Sequence, residues 1–168
     1  MKHKKGQFNF LDFMMGVVIF AILMTIFFKY SSNITKKQEG ITGLAVEGKT
    51  ISNDLLSQGF PSNWNSSNVV IIGITDDNNQ INETKLNNLI NVSYEQTRTL
   101  FRTRYHYYFL FLDQNNSIIK ITPTQEGIGY PGVNSSNIGN INTKRLIKLE
   151  RIVFFRNQMA KLVLYLWQ

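Results

Sequence analysis

Chemistry needs side chains that ionise, attack or ligate, and this chain of 168 residues holds few in useful patterns. It has no cysteine, which excludes disulfides, thiolate metal sites, a thiol nucleophile and a lipid anchored on Cys. It has two histidines. His3 lies in a lysine-rich opening and His106 lies between tyrosines, so neither offers metal-ligand spacing or a Ser-His-Asp set. The oxygens of Asp76-Asp77-Asn78-Asn79 and Asp113-Gln114-Asn115-Asn116 suit Ca²⁺, yet neither run has EF-hand spacing. Both read as Asx-rich turns. The glycines of GIGYPG, residues 127–132, lack the strand and helix that flank a phosphate loop, and they too read as a turn. Tyr105, Tyr107, Tyr108, Phe109 and Phe111 could form a stacking platform, but Phe109 and Phe111 fit a core better. The chain is therefore not expected to be an enzyme, and no metal or cofactor is expected.

A net charge of +7 points toward polyanions until it is located. Lys2, Lys4, Lys5, Lys29, Lys36 and Lys37 flank one apolar run. From residue 38 onward 12 basic residues face 10 acidic ones. Arg98, Arg102 and Arg104 form the densest basic cluster of that part, and they read as a solvated helix end leading into a strand. No nucleic-acid partner is expected.

The apolar run, Phe8 to Phe28, covers 21 residues. As a helix it spans about 31 Å, the thickness of a bilayer's hydrocarbon core. It exceeds the apolar core of a secretory signal, and no small-residue cleavage site follows it. Lys29 and Tyr30 sit where headgroups would lie. Asp12 is the anomaly. A carboxylate in a membrane helix either snorkels to nearby headgroups or meets a partner charge from another molecule. Lys2, Lys4 and Lys5 favour a cytoplasmic N-terminus, whereas Lys29, Lys36 and Lys37 pull the other way. N-x-S/T sequons at Asn33, Asn65, Asn82, Asn91, Asn115 and Asn134 are candidate N-glycosylation acceptors and favour a surface location for the rest.

Beyond the membrane run, Ile34, Ile41, Leu44, Ile51 and Leu55 follow helical spacing, with Gly48 completing the stripe. Lys36, Lys37, Glu39, Glu47 and Lys49 lie opposite, so residues 31–58 read as an amphipathic helix ended by Gly59-Phe60-Pro61. Trp64 is expected as a lid on the core or as an exposed contact. Val69–Ile74 reads as a short buried strand. Glu83–Asn91 and Tyr94–Arg102 read as short helices. The strand YHYYFLFL, the turn DQNNS and the return strand IIKIT follow. Pro123–Asn142 reads as a long exposed loop. The chain then forms a hairpin, LIKLERIVFF and AKLVLYLW, around the polar turn RNQM. The expected class is α+β: a long N-terminal helix, transmembrane then amphipathic, packed on an antiparallel sheet of about five strands.

The stretch KHKKG-QFNFLDF, followed by an unbroken apolar helix, resembles the class III signal peptide of archaeal type IV pilins. That resemblance implies a leader, residues 1–6, recognised at Lys4-Lys5-Gly6 and cut before Gln7 by a prepilin-type peptidase. It implies a retained helix, 7–30, that anchors the chain in the membrane and later packs with other pilin subunits, alike or different, in a filament core. Phe10, Phe13, Val17, Phe20 and Met24 would make those contacts. The continuation 31–58 and an extracytoplasmic head, 59–168, complete the organisation. The family's acid, which neutralises a neighbour's N-terminal amine, usually stands fifth in the mature chain. Here Leu11 is fifth and Asp12 sixth. The resemblance thus implies a major or minor subunit of a cell-surface filament, with its N-terminus cytoplasmic before assembly. The other reading is a membrane-anchored extracytoplasmic binding module that does not polymerise.

Overall fold

A computed structural model of the chain describes residues 10–76 and 80–168. The chain is α+β: an N-terminal apolar helix is followed by an antiparallel sheet of five strands. It divides into two compact units, Met1–Gly40 and Ile41–Gln168. The first helix, α1, Phe10–Leu55, runs through both.

In the second unit, Leu44, Ile51 and Leu55 of α1 are fully buried. Each contributes about 1.5–3 kcal/mol through the apolar surface it removes from water. They belong to one core with Tyr107, Phe109, Phe111, Leu162, Leu164 and Leu166. Gly48 stands in the same stripe because the sheet comes too close for a side chain. A methyl there would collide with Leu149 and press on Ile147 and Leu166. Arg151 ties the same surfaces by polar contacts, from Nε to Ser52 Oγ and from its terminal nitrogen to Asn53 Oδ1, both 2.8 Å.

The helix ends at Leu55, three residues short of the expected Gln58. Its terminal carbonyls are claimed from outside: Ile74 N–H donates to Leu55 O at 2.8 Å, Thr75 Oγ1 to Leu56 O at 3.1 Å, and Thr75 N–H to Ser57 O at 3.1 Å. This corrects the strand expected at Val69–Ile74. Within the segment only Ile71 makes an isolated bridge, to Phe60, and Thr75 just beyond it bridges Ile81, while the segment's end caps α1. Ile72 and Ile74 are buried, whereas Val70 and Ile71 are exposed. Gly59 turns the chain with φ +73°, a value glycine adopts freely. Trp64 is buried and donates its ring N–H to Gly73 O at 2.8 Å, so it is part of the core.

Two short helices follow: α2, Glu83–Ile90, and α3, Tyr94–Leu100. Asn82 caps the first by accepting from Lys85 N–H at 3.1 Å, and Ser93 caps the second by accepting from Gln96 N–H at 3.3 Å. Arg102, expected inside the second helix, lies beyond it at φ +52°.

The sheet comprises β1, His106–Leu112; β2, Ile118–Ile119; β3, Gly127–Gly129; β4, Leu146–Phe155; and β5, Gln158–Trp167. Its order is β2-β1-β5-β4, with β3 also on β1. Phe109 pairs with Leu164 of β5 and with Ile128 of β3. The number of strands matches the expectation, but the set differs. Val69–Ile74 drops out, and β3 arises inside the expected loop Pro123–Asn142, which also holds a short 3-10 turn at Ile138–Asn140. The return strand shrinks from 118–122 to two residues. The β4–β5 turn is the two-residue pair Arg156-Asn157, with φ +51° and +60°, the geometry that suits the twist of a tight hairpin.

Both faces of β1 are covered, which explains its continuous apolar run. Tyr107, Phe109 and Phe111 face the α1 core. Tyr108 and Leu110 pack with Val163, Trp167 and Ile138, against Val133 and Ile141 of the following loop.

Candidate functional site

Residues Asp12–Ser32 form a helix long and apolar enough to cross a membrane, 21 residues, with none of the window buried by the rest of the chain. Phe10 is 72% exposed, and Met24, the least exposed large apolar side chain among the described residues of the run, is still 37% exposed. Such a surface in water is a large unfavourable hydration term, which a lipid or protein surrounding would relieve. Thr25 satisfies its hydroxyl internally, donating to Ala21 O at 2.8 Å, as an apolar surrounding requires.

Phe10, Phe13, Val17, Phe20 and Met24 follow three-four spacing, so they share one stripe of α1. Asp12 is exposed and lies roughly 120° round the helix from the middle of that stripe. It shares its own side with Met15, Gly16 and Ile19. The carboxylate and the apolar stripe are thus separate features, able to meet different partners. Lys4, Lys5, Gly6 and Gln7 lie outside the described residues, as do Asp77, Asn78 and Asn79.

Comparison with protein-family models, with curated proteins and with solved structures finds no match to this chain.

In the second unit the sequons divide by local use. Asn65 and Asn134 are exposed, and each folds its sequon into an Asx turn: Asn65 Oδ1 accepts from Ser67 N–H at 2.8 Å, and Asn134 Oδ1 from Ser136 N–H at 3.0 Å. Asn115 is exposed on the β1–β2 turn, where Asp113 Oδ1 accepts from both Asn115 and Ser117 N–H at 2.8 Å. Asn82 is spent as the cap of α2, and Asn91 donates Nδ2 to Asn87 O at 3.1 Å. Asn33 lies within α1.

Arg98 and Arg104 of the arginine cluster are engaged by the protein, and Arg102 is exposed. Arg98 pairs with Glu95 at 3.2 Å and donates to Arg104 O at 2.9 Å. Arg104 lies over the Tyr105 ring at 5.2 Å. His106 is structural in setting. Its Nδ1 meets Tyr94 Oη at 3.0 Å, and its ring packs edge-on with Tyr130 at 4.5 Å. Burial lowers the His106 pKa from its ordinary value of 6.5, and the Arg98 charge lowers it further. Tyr107 Oη bonds to Thr97 Oγ1 inside the core, and burial pushes its pKa up.

Two features had no signal in the residue pattern. Lys85 is buried at the exit of α1, donating Nζ to Gln58 O and Thr75 O, both at 2.8 Å. A cation among carbonyls at a helix exit also complements the dipole. Tyr130, expected in an open loop, packs within 6 Å of Tyr94, His106 and Trp167, at centroid distances of 5.5, 4.5 and 5.8 Å.

Proposed function

We propose that this chain is a pilin-like structural subunit, major or minor, of an archaeal type IV pilus-like surface filament. What carries the reading is the pairing of Lys4-Lys5-Gly6-Gln7 with the uncovered apolar helix behind it. A prepilin-type peptidase cuts after Gly6, on the cytoplasmic side. The helix from Gln7 onward then anchors the chain with its head outside. Assembly exchanges lipid for neighbouring helices along the Phe10, Phe13, Val17, Phe20 and Met24 stripe. Asp12, off that stripe, takes a neighbour's N-terminal amine. An ion pair in an apolar bundle is tolerable when matched, and removing one partner leaves an unpaired charge at a cost of about 3–5 kcal/mol. N-glycans would occupy exposed sequons such as Asn65 and Asn115.

Replacing Asp12 by Ala tests this. The variant should still be cut and reach the membrane, but its share in sheared surface filaments should fall by at least about tenfold. Unimpaired incorporation would sink the pairing role. Normal behaviour of a native chain that never leaves the membrane would favour an anchored binding module instead.

A further inference from the structure

The segment 124–136 encloses a groove of about 430 Å³ against β1, lined in part by Tyr108, Lys120, Glu126, Tyr130, Asn134 and Ser136. We propose that this groove binds a neutral saccharide, independently of how the chain is anchored or assembled.

Three observations lead there. The first is that the groove is built rather than draped. Ser135 Oγ donates to Glu126 Oε2 at 2.5 Å, Asn137 Nδ2 to Gly132 O at 2.8 Å, and Tyr130 N–H to Tyr107 O at 2.8 Å. Gly127 and Gly129 of β3 let the backbone lie on β1. A methyl on Gly127 would enter the Tyr108 ring, and one on Gly129 would meet the Tyr107 carbonyl.

The second is the lining chemistry. A phenol, a carboxylate, an ammonium, an amide and a hydroxyl meet within one concavity, and together they supply both donors and acceptors. Burial, with the Glu126 charge adding to it, pushes the Tyr108 pKa up to about 12, so its hydroxyl stays a donor. Among the described lining residues the charges balance, one Lys against one Glu. An anionic ligand would want a surplus of cations, and an apolar ligand a mostly hydrocarbon wall. A neutral molecule dense in hydroxyls fits both conditions.

The third is Tyr130. It is 37% exposed and lines the groove. T-shaped contacts with Tyr94, His106 and Trp167 hold its ring in place. An aromatic ring so fixed, with its negative π quadrupole, attracts the weakly positive C–H face of a pyranose ring. A ring already immobilised loses little entropy on binding.

The test uses the full chain in phosphatidylcholine nanodiscs, made in a host without N-glycosylation so that Asn134 carries no sugar of its own. Glycosidic detergents are avoided, since they would occupy the groove. The probes are an array of neutral oligosaccharides built from hexoses, N-acetylhexosamines and deoxyhexoses, with sialylated and sulfated ones alongside. Saturable binding to a neutral member is expected. Glu126→Gln, which can still accept from Ser135, should weaken it by about tenfold. Tyr130→Leu should weaken it at least as much, whereas Tyr130→Phe keeps the ring and should stay within about threefold. Near-UV circular dichroism confirms that each variant is folded. No binding by any neutral probe would overturn the proposal, as would binding that ignores Glu126 and Tyr130, or a preference for the charged sugars.

Discussion

Two stretches of α1 use the same three-four spacing and reach opposite ends of the burial scale. Leu44, Ile51 and Leu55 are fully buried under the sheet, whereas Phe10, Phe13, Val17, Phe20 and Met24 range from 37% to 72% exposed. The stripe itself therefore does not decide the outcome. The remaining positions do. Around Leu44–Leu55 stand Glu47, Lys49, Thr50 and Asn53, a one-sided pattern that finds its cover within the chain. Around Phe10–Met24 stand Met14, Met15, Val18, Ile19 and Leu23, apolar on every side but for Asp12, a pattern suited to cover from outside the chain.

The sharpest way to break the comparison is Phe109→Ala. It removes a fully buried ring from the core under α1 and should cost the head about 3–5 kcal/mol. Urea unfolding of the full chain in nanodiscs, followed by the buried Trp64 and Trp167, reads this directly. The membrane-bound fraction should not change. Phe20→Lys is the converse. A lysine near the middle of the membrane run should cost insertion by about 2.5–3.5 kcal/mol and release chain from carbonate-washed membranes. The tryptophan-monitored unfolding midpoint should stay put. Equal effects of either substitution on both readouts would mean that the two stretches are not separable.

Gly48→Leu is milder. It overfills the interface with Leu149, Ile147 and Leu166 and should destabilise the head by about 1–3 kcal/mol. The equivalent change at Gly16, where nothing lies within 4 Å, should leave the head untouched.

The smallest effect concerns pH. Burial and Arg98 hold the His106 pKa below 6.5, so the unfolded chain binds the proton more readily than the folded one. Stability is then complete above pH 6.5 and falls as the pH drops below it toward the lowered folded value. The protection factor of the Tyr107 amide, taken relative to its intrinsic exchange rate at each pH, should fall over that window, and His106→Gln should remove that fall.

How much could be read in advance varies with how local the cause is. The β4–β5 hairpin was legible because alternation and the polar Arg156-Asn157 turn are neighbours in sequence. The helix stripe through Leu55 was legible for the same reason. Val69–Ile74 misled because an apolar run looks alike as a strand or as a cap, and only the carbonyls of Leu55, Leu56 and Ser57 distinguish the two. Strand β3 was illegible because GIG has no strand preference of its own. It is a strand because the edge of Tyr108–Leu110 is open to it. The groove over Tyr108 was hidden for a further reason: Lys120, Glu126 and Tyr130 become neighbours only after that pairing. At the N-terminus the reverse holds. Lys4-Lys5-Gly6 and the apolar run are visible in the residues, and their use depends on molecules outside the chain.

The mature N-terminus tests the central claim most directly. It is measured by mass spectrometry on native protein from both the membrane and the sheared-surface fraction. Cleavage after Gly6 followed by assembly predicts a chain starting at Gln7 in both. A chain that retains Lys4-Lys5-Gly6, or one starting at Gln7 that never reaches the sheared fraction, would contradict it.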